Sequence, residues 1–193
     1  MSDFSAARQK MVDGQIRPSD VTDLRIIDAM LSVPREEYVP ANLRPMAYLD
    51  LDLDLGAAGE AKRYLLKPVV LAKMLQAAEL KATDKVLVVG CPSGYSAAVI
   101  GQIAGKVTNS GTEGDAGNGP YDVIVMLGAT EVAPTGLYRQ LAVGGKLLGV
   151  FAQSKPQRAT MVTHSHDDFG SRPLFDAVAP VLQGLERKAE FVF

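Results

Sequence analysis

The sequence predicts an α/β fold built on a doubly wound, mostly parallel sheet. Two apolar runs, Lys85–Val89 and residues 121–128, lack the alternation of a half-exposed strand, which is typical of parallel strands buried on both faces. The first run ends at Gly90 in a tight loop, and a stretch of small and apolar residues, 95–104, follows as a helix. Strand, glycine loop and helix in this order make half of a nucleotide-binding crossover.

Periodicity, proline and glycine place the remaining elements around this core. Two helices precede it, and the last strands alternate, which suits an antiparallel edge on a parallel sheet. Thr22 is the expected N-cap of the second helix, and Gly144 with Gly145 is the expected turn before a strand. The predicted helices cover residues 6–15, 23–32, 69–80 and 134–142, the predicted strands cover 106–108, 146–152, 158–163, 174–178 and 190–193, and residues 109–119 are a predicted loop.

Leucine and aspartate alternate strictly from Leu49 to Leu55. A period of two favours a half-buried strand or the arm of a hairpin. Three aspartates on one face also suggest a calcium or magnesium site, but the turn glycine and the glutamate of a calcium loop are missing. The alternation is therefore interpreted as a solvated face of aspartates.

Composition and charge exclude several classes of protein. The chain has 193 residues, 47% of them hydrophobic, and a net charge of −2, and no Lys/Arg cluster forms the basic surface that a nucleic-acid groove needs. Its one cysteine, Cys91, rules out an internal disulfide and a metal site built on several thiolates. No signal peptide is recognisable and the apolar stretches are too short for a membrane span, so we expect a cytoplasmic protein.

The loop after Val89 is the strongest candidate for a ligand site. A strand that ends in Gly-x-x-Ser-Gly lets the backbone approach a ligand, and the next helix directs N–H groups toward it. The same turn also occurs as a purely structural feature, and the absence of Gly-Lys-Ser/Thr argues against a nucleoside triphosphate loop. Cys91 is either a reactive thiol or, because both histidines are far along the chain, a small residue lining the pocket.

A second polar group, residues 164–168, has the sequence His-Ser-His-Asp-Asp. Ligands on alternate strand residues share one face, so a metal site is conceivable there. The composition is equally that of a polar hairpin turn before Phe169 and Gly170, and this is our interpretation. We therefore predict no metal site.

Three segments together resemble the protein-L-isoaspartate O-methyltransferase family. The first runs over residues 8–40 and contains Val33-Pro34-Arg35-Glu36 followed by Tyr38-Val39-Pro40. The second is the strand, loop and helix over residues 86–99, with Ser93-Gly94-Tyr95 at the loop, and the third combines Gly114-Asp115, residues 120–125 and Gly144-Gly145-Lys146-Leu147. The segments cover most of the chain, and few other families place Val-Pro-Arg-Glu before this fold.

The resemblance implies a single methyltransferase-like domain over residues 1–193, with a helical cap and extended arm over 1–66 and a Rossmann-like α/β core over 67–193. It implies S-adenosylmethionine-dependent methylation of the carboxylate of isoaspartyl residues in damaged proteins, a repair reaction on a protein or peptide substrate. Because methyl displacement needs an ionised carboxylate in position more than a strong base, no catalytic triad is expected. By the same resemblance, the cofactor-binding residues are Gly90, Cys91, Ser93, Gly94, Tyr95 and Asp115, and no catalytic residue is assigned.

The chain departs from the family's pattern at the cofactor loop and before the third helix. The loop's acid position is Val88 and its middle glycine is Pro92, which has no backbone N–H. The family's serine position is Leu66, next to Lys67, which either pairs with an acidic group or is solvated. Two alternatives therefore stay open: an inactive methyltransferase-fold protein that acts in binding or scaffolding, and a methyltransferase with a different substrate.

The span from the glycine loop to Pro120 is shorter than the resemblance leads one to expect. We expect the family's second strand, the next helix and a third strand to be missing, together with the ribose-binding acid that ends the second strand. Glu113 and Asp115 have the spacing of such an acid, although Gly114-Asp115 better matches a later motif near the adenine. A missing strand and helix expose an open edge, so we predict a homodimer that buries it.

Overall fold

The computed structural model describes residues 4–57, 59–60, 62–110, 119–166 and 168–187. Helices and turns form the first part of the chain, and strands dominate from residue 85 onward. The α-helices are α1 (Phe4–Met11), α2 (Leu24–Ser32), α3 (Pro68–Ala78), α4 (Tyr95–Gly101) and α5 (Thr135–Tyr138). The strands are β1 (Leu53–Asp54), β2 (Tyr64–Leu65), β3 (Lys85–Val89), β4 (Lys106–Ser110), β5 (Tyr121–Thr130), β6 (Leu141–Phe151), β7 (Arg158–His164) and β8 (Phe169–Asp176).

A six-stranded sheet in the order β4-β3-β5-β6-β7-β8 forms the centre of the fold. The first four of these strands are parallel, whereas β7 and β8 pair antiparallel at one edge. Strands β3 and β5 are almost entirely buried, because helices or other segments cover both of their faces. The predicted mostly parallel sheet with an antiparallel C-terminal edge is confirmed.

Strand β3 lies at a switch point of the sheet. The chain passes from β3 to β4 on one side and then crosses to β5 on the other side. Open α/β sheets bind ligands in the crevice outside the carboxyl ends of the strands at such a point. The crevice between the ends of β3 and β5 is therefore the first place to look for a functional site.

The expectation that the second strand is missing was wrong. Residues 106–110 form β4, which pairs in parallel with β3 along its whole length. Asn109 and Ser110 were assigned to the predicted loop but belong to β4, and the rest of that prediction, residues 111–118, lies outside the described part of the chain. The predicted strand over residues 190–193 lies outside it as well.

The predicted helix over residues 134–142 and the turn at Gly144 were also wrong. Only Thr135–Tyr138 is helical, because the carbonyl of Gln140 accepts a hydrogen bond from the N–H of Tyr121 and draws the chain into the sheet. Strand β6 begins at Leu141, and the two glycines lie inside it, where its pairing with β5 shifts register.

A network of buried polar groups holds the N-terminal helices together. The Arg8 guanidinium donates to the hydroxyl of Tyr48 at 2.9 Å and to Glu36 at 3.2 Å, and Tyr48 in turn donates to Glu36.

Asp23 immediately precedes helix α2, and its carboxylate accepts the N–H of Arg25 at 2.9 Å. The N-cap is therefore Asp23 and not Thr22, whose own N–H donates to Gln76.

The alternating leucines and aspartates form the predicted strand or hairpin arm only at their C-terminal end. Only Leu53–Asp54 pairs, with β2, and Leu49 and Leu51 are about half exposed. The aspartates instead accept backbone N–H groups: Asp50 from Val69, Asp52 from Lys67, and Asp54 from Gly56 and Arg63. Asp50 is exposed, as the solvated-face interpretation predicts, whereas Asp52 and Asp54 are only partly exposed. All three carboxylates also satisfy donors that turns and a helix start leave unpaired, which the interpretation did not predict.

Apolar residues pack on both faces of the sheet. One cluster joins alternate residues of the strands, such as Val86 and Val88, to α3, α4 and the N-terminal helices. The other contains Leu87, Val89 and Met126, and residues of the α5 region together with Leu185 cover it. Among the described residues, no helix is both long enough and apolar enough to cross a membrane.

Candidate functional site

The glycine loop closes the carboxyl end of β3. Gly90 and Gly94 have φ angles of +77° and +81°, which residues with a Cβ rarely adopt, so the loop turns as the sequence predicted. The N–H of Gly90 donates to the carbonyl of Ser110 at 3.1 Å, and the amide of Asn109 donates to the carbonyl of Cys91 at 3.2 Å. The end of β4 therefore fixes the first half of the loop.

A cavity of about 450 Å³ lies against this loop. This volume is within the range of small-molecule and cofactor sites. Three parts of the chain meet around it: the arm before β2, the ends of the central strands, and a C-terminal segment. The lining residues are Lys62, Arg63, Tyr64, Gly90, Cys91, Pro92, Asn109, Leu127, Pro180, Val181, Leu182 and Gln183.

Only some of the predicted cofactor-binding residues line the cavity. Gly90 and Cys91 do, whereas Ser93 and Gly94 follow in the loop without lining it. The side chain of Tyr95 is fully buried and faces the N-terminal cap, with its ring 4.8 Å from the Arg35 guanidinium. Burial raises the pKa of the Tyr95 phenol. Asp115 lies outside the described residues.

Val88 and Pro92, the two positions at which the loop region differs from the family's pattern, have different consequences for the site. The side chain of Val88 is fully buried in the apolar cluster on the helix side of the sheet, so it does not reach the cavity. Pro92 is exposed and lines the cavity, and it offers no N–H to a ligand. Cys91 is a free and buried thiol, as expected of a small lining residue.

The sequence did not reveal several residues of the cavity wall. Asn109 was assigned to a loop, but it belongs to the end of β4, where the family resemblance places the ribose-binding acid. That correspondence was the signal that could have identified it. Pro180, Val181 and Leu182 come from a segment with no regular pattern, and nothing local in the sequence predicts where such a segment docks.

The C-terminal segment, residues 180–187, lies along the carboxyl end of β5. The N–H of Ala129 donates to the carbonyl of Pro180 at 2.7 Å, and the N–H of Leu182 donates back to the carbonyl of Ala129 at 2.9 Å. Farther along, the N–H of Glu131 donates to the carbonyl of Leu185 at 2.9 Å. The segment thus pairs with β5 over a short distance and forms one wall of the cavity.

The connection before α3 contains the family's serine position. Leu66 is 1% exposed, and its carbonyl accepts a hydrogen bond from the buried guanidinium of Arg35 at 2.9 Å. Arg35 also donates to the carbonyl of Ala47 at 2.8 Å, and burial lowers its pKa. A leucine side chain in this position offers no hydrogen bond to a substrate carboxylate.

Lys67 is ion-paired and only partly exposed. Its ammonium lies 3.4 Å from the Asp52 carboxylate, which also accepts the backbone N–H of Lys67 at 2.9 Å. Only 22% of the Lys67 side chain is exposed. Of the two interpretations of this residue, pairing with an acidic group is correct and free solvation is wrong.

The described residues of the polar group at 164–168 end strand β7 and begin the turn to β8. His164 ends β7, and its Nδ1 lies 3.1 Å from the carbonyl oxygen of Leu141. Ser165 and Asp168 exchange backbone hydrogen bonds across the turn, and Asp167 lies outside the described residues. No group of three or more potential metal ligands occurs in the part of the chain that the structure describes.

Known proteins with a similar sequence or fold point to one family. Residues 6–110 and 106–174 match the family model for protein-L-isoaspartate(D-aspartate) O-methyltransferase. A protein-L-isoaspartate O-methyltransferase of Koribacter versatilis is 33% identical, across 77% of this chain and 78% of its own length. Protein-L-isoaspartate O-methyltransferase 1 of Rhodopseudomonas palustris strain HaA2 is also 33% identical, across 90% of this chain and 81% of its own length.

Two solved structures share the fold at lower identity. A protein-L-isoaspartate O-methyltransferase superposes with a TM-score of 0.75 at 20% identity, covering 92% of this chain and 66% of the other. A Plasmodium falciparum protein of the same description, solved with S-adenosyl-L-homocysteine, has a TM-score of 0.72 at 15% identity and covers 95% and 99%. The family match over most of its residues, with the relatives at 33% identity, establishes that the chain belongs to the protein-L-isoaspartate O-methyltransferase family.

Proposed function

We propose that this protein transfers a methyl group from S-adenosylmethionine to the carboxylate of isoaspartyl residues in damaged proteins. One observation carries the proposal: in a member of this family, a cavity of about 450 Å³ lies at the switch point beside the glycine loop. The Plasmodium falciparum relative was solved with the demethylated cofactor.

The residues around the cavity fit an adenosyl cofactor. Gly90 turns the backbone toward the cavity, and a Cβ added at Gly94 would meet no atom within 4 Å, so the loop is open on that side. We propose that Gly90, Cys91, Ser93, Gly94, Tyr95 and Asp115 hold the cofactor. Asn109, at the end of β4, is the described residue best placed to bond the ribose.

The residues of the chain position the substrate carboxylate and exclude water from the cavity. The bound cofactor supplies an electrophilic methyl group. Apolar residues Leu127 and Val181 form part of the wall and limit water near the reacting atoms. Lys62 and Arg63 are exposed at the same cavity and attract an ionised carboxylate, and an ionised carboxylate needs no general base.

The proposal is tested by titrating the purified protein with S-adenosylhomocysteine in a calorimeter, and then by assaying methylation of an isoaspartyl peptide against its aspartyl twin. Micromolar binding and methylation of the isoaspartyl peptide alone are expected. The matched variant Pro92→Gly restores a backbone donor to the loop and should bind several-fold more tightly. If neither the original chain nor Pro92→Gly binds S-adenosylhomocysteine at millimolar concentration, the proposed enzymatic function is rejected and the binding or scaffolding alternative is favoured.

The buried Leu66 gives the different-substrate alternative a specific basis. Because its side chain cannot bond a carboxylate, recognition of the isoaspartyl group depends on other donors of the site. Cofactor binding without methylation of the isoaspartyl peptide would select this alternative.

We further propose that two copies of the chain associate through the β4 edge. Strand β4 is the last strand of the sheet on that side, and edge strands are usually covered. Light scattering at micromolar concentration should give the dimer mass, and a monomer mass would reject the proposal.

We also propose that residues 1–193 act as one domain in the cytoplasm. The N-terminal helices share one apolar cluster with the sheet, which supports a single cooperative unit. The one cysteine is a free thiol, which suits a reducing compartment. A single unfolding transition seen by two probes would support the domain assignment.

A further inference from the structure

Two glycines face one side chain of the C-terminal segment. A Cβ built on Gly90 would lie 2.5 Å from Cδ2 of Leu182, and a Cβ built on Gly128 would lie 2.7 Å from the same atom. Neither position tolerates a side chain while Leu182 keeps its place, since real Cβ contacts are not that short. Leu182 therefore sits between the carboxyl ends of β3 and β5, in the crevice of the switch point.

The position of Leu182 matters because this crevice is where ligands of open α/β sheets bind. The cavity beside the glycine loop is bounded by Leu182, so the isobutyl group takes up space next to Gly90 that would otherwise extend the cavity. At Gly94, in contrast, nothing lies within reach of an added Cβ. Leu182 thus fills the space beside Gly90, whereas the space beside Gly94 is open.

We propose that Leu182 limits the depth of the cofactor cavity and thereby sets the affinity for the adenosyl cofactor. The inference rests on the proposed function, because it concerns the same cavity.

The attachment of the segment allows this role to be tested. Its backbone is held by the hydrogen bonds with Ala129 and Glu131, and Leu185, 1% exposed, anchors it in the second apolar cluster. Shortening Leu182 leaves these anchors in place. A residue that served only to close the apolar cluster would behave differently, since its truncation would lower or leave unchanged the affinity of the cavity for a ligand.

The test is a calorimetric titration of S-adenosylhomocysteine into the full chain and two variants. We expect Leu182→Ala to bind about tenfold more tightly than the original chain, and Leu182→Phe about tenfold more weakly. The matched control is Leu185→Ala, which shortens a leucine of the same segment away from the glycine loop and should bring no gain in affinity. If either alanine variant fails to fold, the Leu182→Val and Leu185→Val pair replaces it, with the same order of affinities.

The outcomes separate this inference from the proposed function. Binding by the original chain with equal or weaker binding by folded Leu182→Ala overturns the role of Leu182 and leaves the proposed function standing. Binding by Leu182→Ala alone supports the role of Leu182 and rejects cofactor use by the original chain. Absence of binding by every folded variant overturns both.

Discussion

The cavity lies between two walls that are held in different ways. Charged groups brace the N-terminal side: Arg35 bonds the carbonyl oxygens of Ala47 and Leu66, and Asp52 pairs with Lys67. The C-terminal side depends on a few backbone hydrogen bonds to β5 and on the leucines Leu182 and Leu185.

This difference implies that the N-terminal wall of the cavity is rigid and that the C-terminal wall can change in size. A buried guanidinium must keep its acceptors, because an unpaired charge or carbonyl in the interior is costly. An apolar wall has no such requirement and tolerates changes in size. The N-terminal wall therefore fixes the geometry, and the C-terminal wall sets how much space remains for a ligand.

Removing the central brace of the N-terminal wall should have the largest effect. Arg35→Met leaves the carbonyls of Ala47 and Leu66 without their donors and should lower the free energy of unfolding by about 3–5 kcal/mol. Urea denaturation measures the loss. The control is Arg158→Met, whose exposed pair with Asp176 should contribute no more than about 0.5 kcal/mol. Equal losses in the two variants would contradict the bracing role.

The contact of the C-terminal wall with the glycine loop can be isolated by comparing two loop glycines. Gly90→Ala meets both a positive φ and the Leu182 methyl, and should cost about 2–4 kcal/mol. Gly94→Ala meets only the positive φ and should cost about 1–2 kcal/mol. In the double variant Gly90→Ala with Leu182→Ala, the excess cost should largely disappear. Strict additivity would show that the two residues do not touch.

The polar network of the N-terminal wall predicts a loss of stability at high pH. Burial and the hydrogen bond to Glu36 raise the pKa of Tyr48 to about 12. Because the folded state holds this proton more tightly, the associated stability is present below the ordinary tyrosine pKa near 10 and is lost as the pH rises through the folded value. Unfolding free energies should fall by about 1–2 kcal/mol over this interval. The Tyr48→Phe variant should lack this component.

The smallest effect is expected at the start of α2. Hydrogen bonds from Arg25 lower the pKa of Asp23, so its stabilisation is present above the ordinary aspartate pKa near 3.9 and is lost as the pH falls through the lower folded value. Asp23→Asn keeps a capping oxygen and should cost less than about 0.5 kcal/mol at pH 7. Its stability should also decline less on acidification. If the free energy of unfolding of Asp23→Asn fell on acidification as much as that of the original chain, the assignment of Asp23 as the charged N-cap would be contradicted.

The sequence predicted the sheet better than its surroundings. Strands β3 and β5 are recognisable because burial on both faces requires an uninterrupted apolar run. The alternation around Asp52 misled, because its carboxylate bonds an N–H fifteen positions away in the chain, and period alone does not report such partners. Of the residues that line the cavity, the sequence singled out only Gly90, Cys91 and Pro92, because a glycine loop after a buried strand is recognisable locally. The wall around Leu182 depends on a long-range docking that has no local signature.

The contact between Leu182 and Gly90 also bears on how this lineage evolves. A side chain at position 90 would have to displace Leu182 as well as adopt a positive φ, so we expect relatives that no longer bind a cofactor to keep this glycine longer than Gly94. Gly94 has no such neighbour and would drift first, toward asparagine or aspartate, which tolerate a positive φ. Among relatives of this chain, a glycine kept at position 94 is therefore the more informative sign that the loop still binds a cofactor.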